Sequence, residues 1–245
     1  MKSDSGLSTR TLVSLAMLAA LSFLAVALIR VPVVLFLSYE PKDVILTLTA
    51  LIFGPLAGIG VTVVVSLVEM ITISSTGILG FLMNVLASAS FLVPPALLYR
   101  KRRSLFTAIS GLVLGTLLMT GVMLLWNWII TPIYMEADRS YVTSLLLPAF
   151  LPFNLIKGGL NAGITLLLYK PIVYGLQRAR LLPAGTHAAA TRRNTVGILL
   201  LGLVTVCTFI LPRFRLINRA FASREWGGIR SGRYAAIAPR QASFK

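Results

Sequence analysis

Asn154, Lys157 and Asn161 stand at i, i+3 and i+7, so a helix would carry two amides and one ammonium on a single face. The run that holds them, Leu145 to Tyr169, is otherwise apolar. Polar and ionisable groups in such a run are costly to bury and face a cavity or a partner. An amide offers donor and acceptor together, and a lysine offers three donors. That inventory suits holding the carbonyl and hydroxyl oxygens of a ligand rather than making or breaking bonds.

Asn84, Asn127 and Glu69 interrupt three further apolar runs. Depth follows from a rise of about 1.5 Å per residue, counted from the outer end of each helix. On that count Asn84 and Asn154 lie about 9 Å deep, Asn127 about 7 Å, Glu69 about 6 Å and Lys157 about 14 Å. Four helices thus present polar groups in one layer under the outer surface, a pattern that predicts a pocket open to the outside. A pore would need polar groups through the full thickness, whereas the inner halves are nearly all Leu, Val, Ile and Ala. Each Asn taken singly also fits a hydrogen bond to a neighbouring helix. Lys157 could pair with Glu69, and pairing does not exclude a ligand. Trp126, Trp128, Tyr134, Tyr141, Phe150 and Phe153 cluster at the same level. They suit an interfacial belt, with one or two free to stack on a flat ligand.

Other chemistries find few residues. The chain has one cysteine, Cys207, and one histidine, His187. An internal disulfide, a thiolate metal cluster and a His-Glu-x-x-His site are therefore excluded. No clustered carboxylates occur, so no catalytic residue, metal ligand or cofactor is expected. An ion-coupled secondary transporter using Glu69 and Lys157 stays as an alternative, although no internal repeat with paired broken helices supports it.

The elements that must position these residues are membrane helices. Of 245 residues, 57% are hydrophobic and 12% charged, against about 25% charged in a soluble domain. An all-α integral membrane bundle of six transmembrane helices is expected within residues 1–180, at about 9–31, 43–53, 55–73, 78–99, 104–131 and 145–170. Pro32 and the polar stretch Tyr39 to Asp43 read as a break, and Phe53-Gly54-Pro55 as a tight turn. The formal net charge of +16 divides into +7 for residues 1–191 and +9 for residues 192–245. The basic residues of the first part sit mainly at the ends of apolar runs, as topology requires, and no nucleic-acid module appears. A cytoplasmic N-terminus puts Arg100-Lys101-Arg102-Arg103 and Lys170 inside; five spans would put them outside. Residues 181–195 form a basic connection. The apolar segment 196–211 is interfacial or a short seventh helix, and 212–245 a basic tail without pattern, expected to be disordered.

This layout resembles the substrate-binding S components of energy-coupling factor transporters, and within them the riboflavin-specific branch. The stretches that carry the resemblance are Tyr39-Glu40-Pro41-Lys42-Asp43, Phe53-Gly54-Pro55-Leu56-Ala57-Gly58, Thr76 to Asn84, Asn127 with Thr131-Pro132-Ile133-Tyr134, and Pro152-Phe153-Asn154-Leu155-Ile156-Lys157-Gly158. The resemblance covers about residues 10–178, and the last stretch is its most specific part. It implies a multi-pass protein of the bacterial cell membrane that binds riboflavin from outside and is not itself an enzyme. It implies partners: a membrane coupling subunit and two cytoplasmic ATPases. It implies that Asn84, Asn127, Asn154 and Lys157 line the vitamin pocket. Ala16 and Ala20 on the first helix match the motif that contacts the coupling subunit. Another vitamin or flavin-like ligand on the same fold remains an alternative. The chain departs from some relatives at the end of the third helix, where Glu69-Met70 replaces a lysine, and by about 65 residues after the sixth helix.

Overall fold

The structure, a computed structural model, describes residues 8–34, 37–74, 76–136 and 138–182. His187, Cys207, most of the 181–195 connection, the 196–211 segment and the 212–245 tail lie outside the described residues.

The described chain is nearly all helical. Helix α1 spans Thr9–Leu28 and is capped by Ser8, whose side chain accepts from the Thr11 N–H. Ser14, Leu18, Ser22 and Val26 recur every fourth residue and are buried. Ala16 and Ala20 fall on the opposite, exposed face. Helix α2 spans Lys42–Phe53, α3 Pro55–Thr72, α4 Gly77–Lys101 and α5 Leu105–Met135. Helix α6, Arg139–Leu145, runs through a π-helical turn at Leu146–Phe150 into α7, Leu151–Arg178. Pro152 causes that turn: it has no N–H to return to Pro148, and the Leu151 N–H reaches back five residues to the Leu146 carbonyl.

Five of these segments are long and apolar enough to cross a membrane: Thr9–Leu28, Pro55–Thr72, Gly77–Lys101, Leu105–Ile133 and Arg139–Arg178. The sixth helix of the bundle, α2, differs. Its 12 residues cover about 18 Å, against a hydrocarbon core of about 30 Å. It begins part-way through the bundle. The Ser22 hydroxyl donates to the Lys42 carbonyl at 3.2 Å, and Ser22 lies well inside α1. The chain between α1 and α2, expected as a plain break, is an antiparallel hairpin of β1, Val31–Val34, and β2, Leu37–Tyr39. Its register sets Val31 opposite Tyr39, so the hairpin opens where α1 ends and α2 is about to begin.

Two glycines set the close approaches. Gly54 has φ 99° and ψ 164°, a conformation closed to residues with a side chain. It turns α2 directly into α3, with Pro55 at the first helical position. Gly158 on α7 lies against α5; a Cβ there would stand 2.5 Å from the Thr116 methyl. The apolar core includes three seams: Leu46, Ala50, Val61, Val65, Leu92 and Ala96 between α2, α3 and α4, Ala87, Phe91, Leu112, Met119 and Met123 between α4 and α5, and Leu18, Ile45 and Leu176 between α1, α2 and α7.

Candidate functional site

The N-terminus of α2 carries the centre of the site. Lys42 and Asp43 are adjacent, so they point about 100° apart around the helix. Both are buried, Lys42 at 0% exposure and Asp43 at 1%. Lys42 reaches α3, where its ammonium donates to Glu69, and also pairs with Glu40 at 2.9 Å. The other Glu40 oxygen pairs with Arg30 at 3.1 Å. Arg30 and Glu40 flank the hairpin, so this pair closes its base. Asp43 reaches the other way. Its Oδ2 pairs with Lys157 of α7 at 3.1 Å and accepts from Asn161 Nδ2 at 3.4 Å. Its Oδ1 accepts from the Ser88 hydroxyl of α4 at 2.6 Å.

Two groups of ion pairs thus meet at the start of α2, Arg30–Glu40–Lys42–Glu69 and Asp43–Lys157; all of these residues but Arg30 are buried, and the formal charges of the network cancel. Burying an ion costs several kcal/mol unless it is paired and bonded. The network meets that condition by drawing partners from α2, α3, α4 and α7 and from both ends of the hairpin. Asp43 also lies in the first turn of α2, where the helix dipole favours a negative charge.

The Lys157–Glu69 pair that the sequence allowed is not formed. Lys42 takes Glu69 and Asp43 takes Lys157. The reason is tertiary: the short α2 starts between α3 and α7 and brings one opposite charge to each.

Above this floor stand the other expected residues. Asn84 is half-buried on α4, one turn outward from Ser88. Asn154 is buried on α7, one turn outward from Lys157. Asn84 and Asn154 therefore sit at similar heights over Asp43. Asn127 is buried on α5 but lies further out. The Gly158–Thr116 contact sets the α5–α7 register, and the helices run antiparallel. From it Asn127 is about 16 Å outward and Asn154 about 6 Å, at 1.5 Å per residue. The single layer expected from counting is thus two levels about 10 Å apart along the helix axes. The count erred because α5 continues past Pro132 and α7 is extended outward by α6, so neither proline marks a helix end.

Each asparagine is partly committed. Asn127 Nδ2 donates to the Met123 carbonyl at 2.7 Å, and its Oδ1 accepts from Thr131 at 2.8 Å. Asn154 Nδ2 donates to the Phe150 carbonyl at 2.8 Å. Each keeps its second N–H, and Lys157 keeps two N–H groups beyond Asp43. The site is therefore rich in donors and suits a ligand that presents several acceptor oxygens or ring nitrogens.

Deeper on α7, Asn161 Oδ1 and Thr165 Oγ1 are buried without a partner among the described residues, as is Glu69 Oε1 on α3. The inner half is thus less apolar than expected, with buried Thr47, Thr49, Thr62 and Thr165. Thr47, Thr49 and Thr62 bond the carbonyl four residues back in their own helices, which makes their burial cheap. In the C-terminal halves of α4 and α7, Tyr99 and Tyr169 join hydroxyls at 3.1 Å beside a cavity of about 40 Å³. It has room for about one water and is no vitamin site. In the hairpin, burial and then the Asp43 charge push the Tyr39 phenol up, so it stays neutral.

Reasoning from sequence missed Asp43, Lys42 and Ser88. The first two were in plain view in Tyr39-Glu40-Pro41-Lys42-Asp43, but so polar a stretch beside a proline read as an exterior turn.

The family model described as ECF transporter, substrate-specific component matches residues 10–169. The chain is 30% identical over 178 residues to a protein of Staphylococcus aureus named riboflavin transporter RibU, covering 69% of this chain and 93% of that one. It is 33% identical over 132 residues to riboflavin transporter FmnP of Bacillus subtilis, covering 50% of this chain and 70% of that one. It is also similar to a solved structure of the S component of a bacterial ECF transporter, with a TM-score of 0.58 and 31% identity, covering 69% of this chain and 98% of that one.

Proposed function

The chain belongs to the substrate-specific component family of ECF transporters, and from that premise we propose that it binds riboflavin at the outer face of the cell membrane and delivers it to an ATP-driven coupling module. A multi-pass membrane protein with this family's role binds and hands over; the chemistry of ATP hydrolysis belongs to partner subunits.

The observation that carries the ligand assignment is the set of ammonium and amide groups placed beyond Asp43 on three helices: Lys157 and Asn154 on α7, Asn84 on α4 and, further along, Asn127 on α5. Riboflavin presents a flat ring system with a carbonyl-bearing edge and a polyol tail. It needs donors at more than one height, and the two levels about 10 Å apart suit a ligand of that length. Phe153, buried on the same helix, adds apolar surface for the ring. The names of the relatives point to the same vitamin.

The coupling subunit is assigned to the outward face of α1. Ala16 and Ala20 are exposed there, one turn apart, and small residues let another helix approach closely. The N-terminus is assigned to the cytoplasm, which puts Arg100, Lys101, Arg102 and Arg103 inside as well. The coupling module is assigned one membrane subunit and two ATPases.

Purification of the full chain in detergent tests the reading. It is expected to quench riboflavin fluorescence on titration, and unchanged fluorescence at saturating protein would remove the ligand assignment. Ala16→Trp or Ala20→Trp is expected to keep that quenching and abolish uptake in cells. Equal loss of both would put the alanine face inside the bundle.

A further inference from the structure

Lys157 has a flexible four-carbon stem, and a lysine left to itself does not hold its donors in one direction. In this bundle its direction comes from Asp43. We infer that Asp43 is a positioning residue for ligand binding: it does not touch riboflavin, and it acts by holding the Lys157 ammonium aimed into the site. This rests on the riboflavin reading above and names a residue that the sequence left among the turn residues.

The geometry of the carboxylate supports the role. Both oxygens are occupied by protein donors, Ser88 on Oδ1 and Lys157 with Asn161 on Oδ2. Asp43 is 1% exposed, and a carboxylate whose two oxygens already accept from protein donors would repel the acceptor edge of a flavin. Its backbone is held as well, because Ser22 of α1 bonds the preceding carbonyl. Asp43 is thereby fixed from α1, α4 and α7 together. Lys157 gives it one N–H of three and keeps two for a ligand. The adjacent Lys42 protects this arrangement. By pairing with Glu40 and Glu69, it engages the two other buried carboxylates that could draw the Lys157 ammonium away.

A double-mutant cycle on the full chain in detergent tests the inference, with riboflavin quenching for affinity and ligand-free melting for the fold. Asp43→Asn is expected to weaken riboflavin by about tenfold, the cost of one mis-set charged hydrogen bond. Lys157→Met is expected to weaken it by about ten- to a hundredfold. The double variant should bind as weakly as Lys157→Met alone, neither better nor worse, since Asp43 then has nothing left to aim. The double variant should also recover melting temperature lost in Asp43→Asn, because no buried ammonium is left unpaired. A merely structural Asp43 would regain affinity along with stability. If Asp43→Asn does not fold, Ser88→Ala serves in its place. It is expected to weaken binding about threefold when Lys157 is present and to have no effect on the Lys157→Met background. Losses that multiply, or wild-type affinity in Asp43→Asn, would overturn the inference while leaving riboflavin as the ligand. A wild-type chain that does not quench riboflavin overturns the ligand reading itself.

Discussion

Lys42 and Asp43 are neighbours in the chain and serve opposite sides of the bundle. The Lys42 side is a string, Arg30 to Glu40 to Lys42 to Glu69, that ties the hairpin and α3 to the start of α2. It ends at a guanidinium 41% exposed, and each of its ions is paired within it. The Asp43 side is a cup. Ser88, Asn161 and Lys157 converge on one carboxylate, and Lys157 keeps donors to spare. The difference separates two uses of buried charge. On one side the ions satisfy one another and hold the fold. On the other they hold one ion ready for something else.

The largest effect should come from breaking the string at its buried centre. Lys42→Met leaves Glu69 buried and unpaired, and is expected to cost about 3–5 kcal/mol of stability in thermal or denaturant unfolding. Lys42→Met with Glu69→Leu should recover most of that loss, because an apolar pair can replace a buried ion pair. The recovered variant should bind riboflavin within about threefold of wild type; a much larger loss would mean that the string also serves the ligand. Next come the residues above the cup. Asn154→Ala and Lys157→Ala should each weaken binding by about ten- to a hundredfold, at about 1–3 kcal/mol per lost buried bond. Fluorescence titration checks this, and wild-type affinity in both would dismiss the site. Asn161→Ala should weaken binding less, since its amide acts on the site through the long bond to the Asp43 carboxylate. Smallest is the exposed end of the string. Arg30→Ala should cost under about 1 kcal/mol, the range of a partly exposed ion pair, and should leave affinity unchanged.

Much of this was legible without coordinates. The apolar runs, the Phe53-Gly54-Pro55 turn and the basic clusters specify membrane helices and their alternation, because the bilayer acts on each segment separately. The shared face of Asn154, Lys157 and Asn161 follows from helical period alone. Pairing does not follow, because it depends on which helices touch. Lys42 meets Glu69 across 27 positions and Asn161 meets Asp43 across 118. Glu69 and Lys157 looked like natural partners only because α2 was read as starting at the surface. The height of Asn127 over Asn154 was likewise undecided until Gly158 met Thr116 and set the register of two antiparallel helices. Hydropathy is a property of each segment, so composition and spacing determine it. An ion pair is a property of two segments at one depth, and only the packed bundle, with its short α2, decides that depth.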